Sequence, residues 1–237
     1  MHIEITIVVL CYRTGKRINS YVSKIKNILD ANIFVWELVL VGNYDDGASD
    51  ETPALVNELA ANDPRIRAVT LPKKGMMGWD ARTGMDMARG KYLCIVDGDE
   101  QIPAEDIIRV YQKIRTDNLD FVLPYREKRH DGFIRILNSK IYNIFAKILF
   151  PCIKVKDINA KPKIFTKMAY EKLNLTSDDW FIDAEIVIKS SKLGLKIGQV
   201  PTEFKENEYR RSFVTLDTVM EFIKNLIMVR LKEYRKW

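Results

Sequence analysis

Apolar residues fall into two kinds of run along this chain, and the two kinds alternate. Ile3 to Tyr12 is a short β-branched run, which predicts a buried strand. Ile18, Val22, Ile25, Ile28 and Leu29 then recur at helical spacing, predicting a helix over Arg17 to Leu29. Strand-like runs return at Phe34 to Val41, Arg65 to Leu71 and Lys91 to Val96. Helical stretches separate them: one capped at Ser49 or Asp50 with Pro53 near its first turn, then Trp79 to Arg89, then Pro103 to Arg115. This βαβα alternation predicts a mostly parallel sheet with helices on both faces. In such sheets ligands bind beyond the carboxyl ends of the strands. Three informative segments lie there: Cys11-Tyr12-Arg13, Gly42 to Asp46, and Asp97 to Gln101.

After Phe121-Val122-Leu123 the alternation loosens. Phe133 to Phe150 reads as an amphipathic helix with interspersed Arg and Lys, Lys163 to Phe165 as a short strand, Ile182 to Leu193 as a helix, and Lys196 to Val200 as a strand ending before Pro201. From Leu216 a last helix carries apolar residues at 216, 219, 220, 223, 226, 227, 231 and 234. The expected division is one domain over 1–213, in two halves at 1–125 and 126–213. An amphipathic helix follows at 214–237.

Composition excludes several classes. At 47% hydrophobic and 30% charged over 237 residues, the chain is globular. Cys11, Cys94 and Cys152 form no C-x-x-C pair and only two His are present, which argues against a disulfide framework or a zinc site. The first residues lack a basic signal-type region, and no apolar stretch approaches the roughly 18 residues of a membrane span. The expected location is cytoplasmic, with peripheral contact to the inner face of the cell membrane. The net charge of +6 is uneven: residues 126–163 carry ten Lys and Arg against three acids. A basic region predicts an anionic partner, or else a solvated face.

Asp97-Gly98-Asp99 directly follows the apolar run Tyr92 to Val96. Two carboxylates two residues apart at a strand end suit one hard cation, with substrate phosphates filling other positions. Gln101 adds a neutral oxygen from the same turn. The same three residues also suit an Asx turn or a helix cap before Pro103.

Four segments, in order, resemble the family-2 glycosyltransferases of GT-A fold. They are the strand ending in Tyr12-Arg13, the stretch Val41-Gly42-Asn43-Tyr44-Asp45-Asp46-Gly47-Ala48-Ser49-Asp50, the stretch Gly78-Trp79-Asp80-Ala81-Arg82-Thr83-Gly84 running on to Ala88-Arg89-Gly90, and Val96-Asp97-Gly98-Asp99-Glu100-Gln101-Ile102-Pro103. The last is similar to the D-x-D-x-Q segment of polyprenyl-phosphate sugar transferases. The resemblance covers about residues 3 to 213 and implies a donor and metal half at 1–125 and an acceptor half at 126–213. It implies Mg²⁺ or Mn²⁺ on Asp97, Asp99 and Gln101, with Asp99 essential to catalysis. It also implies a nucleotide-sugar donor (UDP- or GDP-sugar) against Tyr12, Arg13, Asn43, Arg82 and Asp97. One departure is that the usual acidic residue after the second strand is Asn43, with Asp45 and Asp46 displaced later.

Trp180-Phe181-Ile182-Asp183-Ala184-Glu185 is similar to the acceptor-side segment of the same enzymes. With a hydroxyl acceptor, Asp183 would serve as the base. With a phosphate acceptor no base is needed, and Asp183 or Glu185 would orient the metal site, a basic residue or the acceptor. Asp183 as a simple helix cap is the plainer alternative. In many lipid-phosphate relatives the next loop reads R-x-x-G-x-S, whereas here Asn207 and Arg210 stand at the Arg and Gly positions. Arg210 or Arg211 then takes the phosphate contact, because guanidinium binds phosphate bidentately.

The resemblance therefore implies an inverting, metal-dependent glycosyltransferase with a polyprenyl phosphate acceptor at the cytoplasmic membrane face. Transfer to a glycan hydroxyl of a surface polysaccharide is the alternative acceptor. A homo-oligomer is compatible with the helix stripes. A basic nucleic-acid-binding domain is the rival of another class, disfavoured by acidic residues at the strand ends. A dinucleotide-dependent oxidoreductase is disfavoured because no G-x-G-x-x-G follows a strand. The basic, amphipathic segments Phe133 to Lys156 and Leu216 to Trp237 suit a membrane surface, and equally the packing of helices on a core.

Overall fold

The computed structural model describes residues 2–33, 35–129, 133–204 and 216–234. The first half follows the periodicity. Strands β1 (Ile5–Leu10), β2 (Trp36–Val41), β3 (Ile66–Val69) and β4 (Tyr92–Asp97) alternate with helices α1 (Arg17–Asn32), α2 (Thr52–Asn62) and α3 (Met77–Asp86), and α4 (Glu105–Thr116) follows β4. β1 is buried throughout, as a continuous β-branched run requires when both sheet faces are covered. The α2 entry is held by Asp50, whose Oδ1 accepts from the Thr52 N–H at 3.0 Å and from its hydroxyl at 2.6 Å.

The second half comprises β5 (Phe121–Arg129), α5 (Phe133–Leu149), β6 (Lys163–Thr166), α6 (Lys167–Leu173), α7 (Ile182–Lys192), β7 (Ile197–Phe204) and α8 (Leu216–Tyr234). The seven strands lie in the order β3-β2-β1-β4-β6-β5-β7. All neighbours pair in parallel except β6, which is antiparallel to both β4 and β5. That reversal matters for the site. It points the start of β6 to the same edge as the carboxyl ends of β4 and β5, with Lys163 in register with Ile95.

Alternate residues of β1 feed two cores. Ile5, Ile7 and Val9 pack with Ile18, Ile25, Val56, Ile107 and Ile114 under α1, α2 and α4. Val8 and Leu10 pack on the opposite face with Ala81, Met85, Tyr142, Ala146, Ile182 and Leu226. The two sets define a three-layer α/β fold. The stacked rings of Phe121 and Phe165, centroids 4.6 Å apart, join β5 to β6 within it.

Three elements differ from the periodicity. β5 continues nine residues to Arg129 because β7 pairs along it, with an irregularity between Arg126 and Lys128. β7 runs through Pro201 to Phe204, tolerated because it is the last strand in the order and the missing N–H costs no ladder bond there. α6 was not expected: it is only seven residues long, and its one buried pair, Ala169 and Leu173, gives too little periodicity to read. It is started by Thr166, whose Oγ1 accepts from the Ala169 N–H.

α8, expected as an appendage, packs into the domain. Leu226 is fully buried and Phe222 nearly so, and the Phe222 ring lies 5.6 Å from that of Tyr142 on α5. The Asn225 amide of α8 donates to Asp179 at 2.8 Å. The other side of the helix leaves Ile227, Met228 and Leu231 exposed.

Candidate active site

The turn after β4 is built for close approach. The Gly98 N–H donates to the Leu10 carbonyl at 2.9 Å, and a Cβ at Gly98 would sit 2.9 Å from that same oxygen. Glu100 takes a left-handed φ of 57° and is tied to α1 by Ser20 at 3.0 Å and Lys24 at 2.9 Å. Asp97 closes β4 with its side chain 37% exposed, and Asp99 Oδ1 accepts from the Gln101 N–H at 3.2 Å. Gln101 itself is buried. Asp97, Asp99 and Gln101 thus come together on one turn and offer only oxygen donors, the chemistry that Mg²⁺ and Mn²⁺ take. Among the described residues no three carboxylate, imidazole or thiol groups converge on a metal position.

Beside this turn, the ends of β1 and β2 meet. Tyr12 donates to Asp45 Oδ2 at 2.5 Å and Arg13 donates to the same oxygen at 3.0 Å. Burial and this bond to a carboxylate push the Tyr12 hydroxyl up to about 12, so it remains a donor. Lys73, from the segment before α3, places its ammonium 4.2 Å from the Tyr12 ring centroid and pairs with Asp80. Asn43 is almost fully buried. Its amide N–H groups donate to Asp80 at 2.9 Å and to Thr83 at 3.1 Å, and its oxygen accepts from the Leu71 N–H at 2.9 Å. These bonds lock Asn43 between β2, β3 and α3. The groups presented at this corner are Tyr12, Arg13 and Asp45, with Lys73 covered beneath the Tyr12 ring. Asp45 stood in the motif as a displaced acid. Lys73 and Asp80 were missed, although both lie in or beside the quoted α3 segment.

Arg82 faces away from that corner. It donates to the Thr176 carbonyl at 2.9 Å and pairs with Asp178. The 176–181 loop is clamped on the start of α3: the Asp178 carbonyl accepts from Met76 at 2.7 Å and Trp79 at 3.1 Å, and the Asp179 carbonyl from Gly78 at 3.0 Å. A Cβ at Gly78 would run into the Ser177 and Asp179 carbonyls, so glycine is required for the loop to sit there. Glu185 anchors the loop from α7. It accepts from the Thr176 N–H, the Thr176 hydroxyl and the Ser177 N–H, each at 2.9 Å, and pairs with Lys189 at 2.6 Å.

Asp183 is buried close to the turn after β4. Its carboxylate takes Lys163 at 2.6 Å and Lys161 at 3.0 Å, and Lys161 also reaches Asp97 at 3.5 Å. Burial alone would raise the Asp183 pKa, but the two ammonium groups outweigh it and hold it below the usual carboxylate range. For Lys161 burial works downward, and the two carboxylates outweigh it and raise the ammonium. Asp157, whose charge acts on Lys163, forms a two-pronged pair with Arg126, one arm at 2.8 Å. Lys161, Lys163 and Asp157 carried no signal beyond the basic bias of 126–163. Arg210 and Arg211 lie outside the described residues.

A three-layer α/β domain, with an oxygen-donor turn at the end of β4 beside a corner of paired charges at the ends of β1 and β2, has the GT-A fold. A family model described as "Glycosyl transferase family 2" matches residues 6–177, and the chain belongs to that family. Glycosyltransferase AglD of Haloferax volcanii is 23% identical over 249 residues, covering 99% of this chain and 37% of that protein. The dodecaprenyl-phosphate galacturonate synthase of Rhizobium johnstonii is 25% identical over 197 residues, covering 81% of this chain and 57% of that protein. A dolichyl-phosphate beta-glucosyltransferase of Trichomonas vaginalis is 24% identical, covering 85% of this chain and 64% of that protein. The chain therefore spans between 37% and 64% of the length of these relatives. Among solved structures, mannosyl-3-phosphoglycerate synthase from Rubrobacter xylanophilus superposes with a TM-score of 0.74 at 13% identity, over 99% of this chain and 76% of that one. Glucosyl-3-phosphoglycerate synthase from Mycobacterium tuberculosis, in complex with Mn²⁺, UDP and glucosyl-3-phosphoglycerate, superposes with a TM-score of 0.72 at 16% identity, over 96% of this chain and 79% of that one.

Proposed function

We propose that this glycosyltransferase is metal-dependent and inverting, and that it moves a sugar from a UDP- or GDP-sugar to a polyprenyl phosphate at the cytoplasmic face of a membrane. The observation that carries the acceptor is the double ion pair on Asp183. A carboxylate flanked by two ammonium groups at 2.6 and 3.0 Å is a poor proton acceptor. A hydroxyl nucleophile needs such an acceptor, whereas a lipid phosphate brings its own charged oxygen. The relatives named for dolichyl-phosphate and dodecaprenyl-phosphate support the same acceptor class.

In this reading Asp97, Asp99 and Gln101 hold Mg²⁺ or Mn²⁺. When bound, the cation offsets negative charge on the departing nucleoside diphosphate. Tyr12, Arg13 and Asp45 receive the nucleoside end of the donor, and Lys73, paired with Asp80, supports the Tyr12 ring from beneath. Asn43 and Arg82 act behind them, by fixing the β2 end and the 176–178 loop. An acceptor oxygen attacks the anomeric carbon, and the bond from that carbon to the diphosphate breaks with inversion. Asp183 orients Lys161 and Lys163 instead of taking a proton, and Glu185 orients the loop above α3.

A membrane surface is supported by α5 and α8. Leu137, Ile141, Ile144 and Ile148 recur on one exposed face of α5, and Ile227, Met228 and Leu231 are exposed on α8. No described helix is long and apolar enough to cross a membrane. Apolar side chains beside lysines suit an interfacial position.

The test is transfer from a panel of UDP- and GDP-sugars, with Mn²⁺, to polyprenyl phosphate in detergent. Labelled sugar should partition with the lipid as a sugar phosphodiester. Transfer to glycan hydroxyls with none to lipid phosphate overturns the acceptor.

A further inference from the structure

Lys161 joins the buried charge cluster to the turn after β4. It stands two residues before β6, and the antiparallel setting of that strand delivers it to the carboxyl edge of β4. Its side chain is only 5% exposed. Nζ lies 3.0 Å from Asp183, 3.4 Å from the Met77 sulfur and 3.5 Å from Asp97 Oδ1. With contacts on three sides and its stem buried, this ammonium cannot swing into water as a surface lysine would. Water screens it less than a surface lysine, so its charge acts on Asp97 at close range.

We propose that Lys161 is a fixed counter-charge of the metal turn, which makes divalent-cation binding conditional on the donor's diphosphate. This rests on the metal assignment made above. Before a donor arrives, Lys161 faces Asp97 and Asp183 and Lys163 faces Asp183, two ammonium groups against two carboxylates, so one carboxylate of the turn already has a positive neighbour. A dication entering there meets an ammonium already paired with one of its own ligands. A diphosphate adds negative oxygens that satisfy the dication and the ammonium together. Lys161 is thus a positioning residue: it holds Asp97 and sets the order in which metal and nucleotide bind.

The experiment is calorimetric titration of MnCl2 into the full chain, free of metal, with and without UDP. Wild type should bind Mn²⁺ alone about tenfold or more weakly than in the presence of UDP. Lys161→Met should bind Mn²⁺ alone about tenfold more tightly than wild type, and its gain from UDP should shrink by the same factor. Lys161→Arg, which keeps the charge, should follow wild type. Lys161→Gln, with a polar end for Asp183, replaces the Met variant if that one melts early. Three results overturn the proposal. One is tight Mn²⁺ binding to wild type without UDP. Another is a neutral variant whose Mn²⁺ affinity and UDP gain both equal those of wild type; the metal assignment then survives. The third is no Mn²⁺ binding by any of the proteins, even with UDP, which overturns the metal assignment as well.

Discussion

Lys163 and Asp183 form an ion pair of 2.6 Å in which the lysine is fully buried and the aspartate nearly so. With Lys161 on its other oxygen, Asp183 offsets two buried cations. Asp183→Asn removes the carboxylate that pairs with Lys163 and leaves Lys161 with Asp97 at 3.5 Å, and breaking a buried pair from one side costs about 3–5 kcal/mol. The variant should therefore unfold at markedly lower urea than wild type. Pairing it with Lys163→Met should recover part of the loss. A well-folded, equally stable Asp183→Asn enzyme that has lost only turnover would instead mark Asp183 as a catalytic group.

Asp99→Asn removes a charge from an open turn. It should abolish sugar transfer while shifting the melting temperature little. The clearest readout is Mn²⁺ with UDP, which should raise the melting temperature of wild type by mass action and not that of the variant. Unaltered transfer by Asp99→Asn would remove it from the metal turn.

Leu226 and Leu231 sit on opposite sides of α8 and should behave oppositely. Leu226 is fully buried against the domain, so Leu226→Ala should cost about 2–5 kcal/mol. Leu231 is 56% exposed, so Leu231→Ser should leave the melt nearly unchanged and weaken sedimentation with anionic liposomes. Combining it with Ile148→Ser on α5 should weaken sedimentation further. Liposome binding unaffected by both changes would assign the exposed stripe to something other than a lipid surface. Removal of everything after Val214 should destabilise the domain, because it uncovers the surface that Phe222 and Leu226 fill.

Asp63 sets an acid limb of stability. Its hydrogen bonds to Arg65, then to Lys26, outweigh burial and hold its carboxyl below the usual range. A carboxylate depressed in the folded state adds stability above its unfolded pKa, and that contribution disappears as pH falls through the folded value. Asp63→Asn should therefore melt below wild type at pH 7, and the gap should close progressively as the pH falls below about 4. A gap that stays constant down to pH 2 would show that the Asp63 charge contributes nothing.

Much of the site was legible because its parts are local. Asp97, Asp99 and Gln101 lie within five residues of one another, so a strand ending at residue 97 necessarily gathers them on one turn. Asp45 was legible as an acid at the β2 corner for the same reason. Asn43 was legible as a position but not as a role, because its partners Leu71, Asp80 and Thr83 come from two other elements. The assignment of Glu185 to a loop, and of Arg82 to the same loop, likewise depends on α3 and α7 lying side by side.

Period-two and period-3.6 patterns belong to the chain itself, since each records how one segment meets a core. They were sufficient for the alternation from β1 to α4, for helices on both faces, and for a polar turn at the end of β4. Which strands stand next to one another is not a local property. β6 enters between β4 and β5 with reversed direction, and that one choice brings Lys161 and Lys163 to Asp97 and Asp183. Buried charges can exist only where an opposite charge meets them. Only the tertiary structure, by deciding that neighbourhood, turned Asp183 from a candidate base into the centre of an ion cluster.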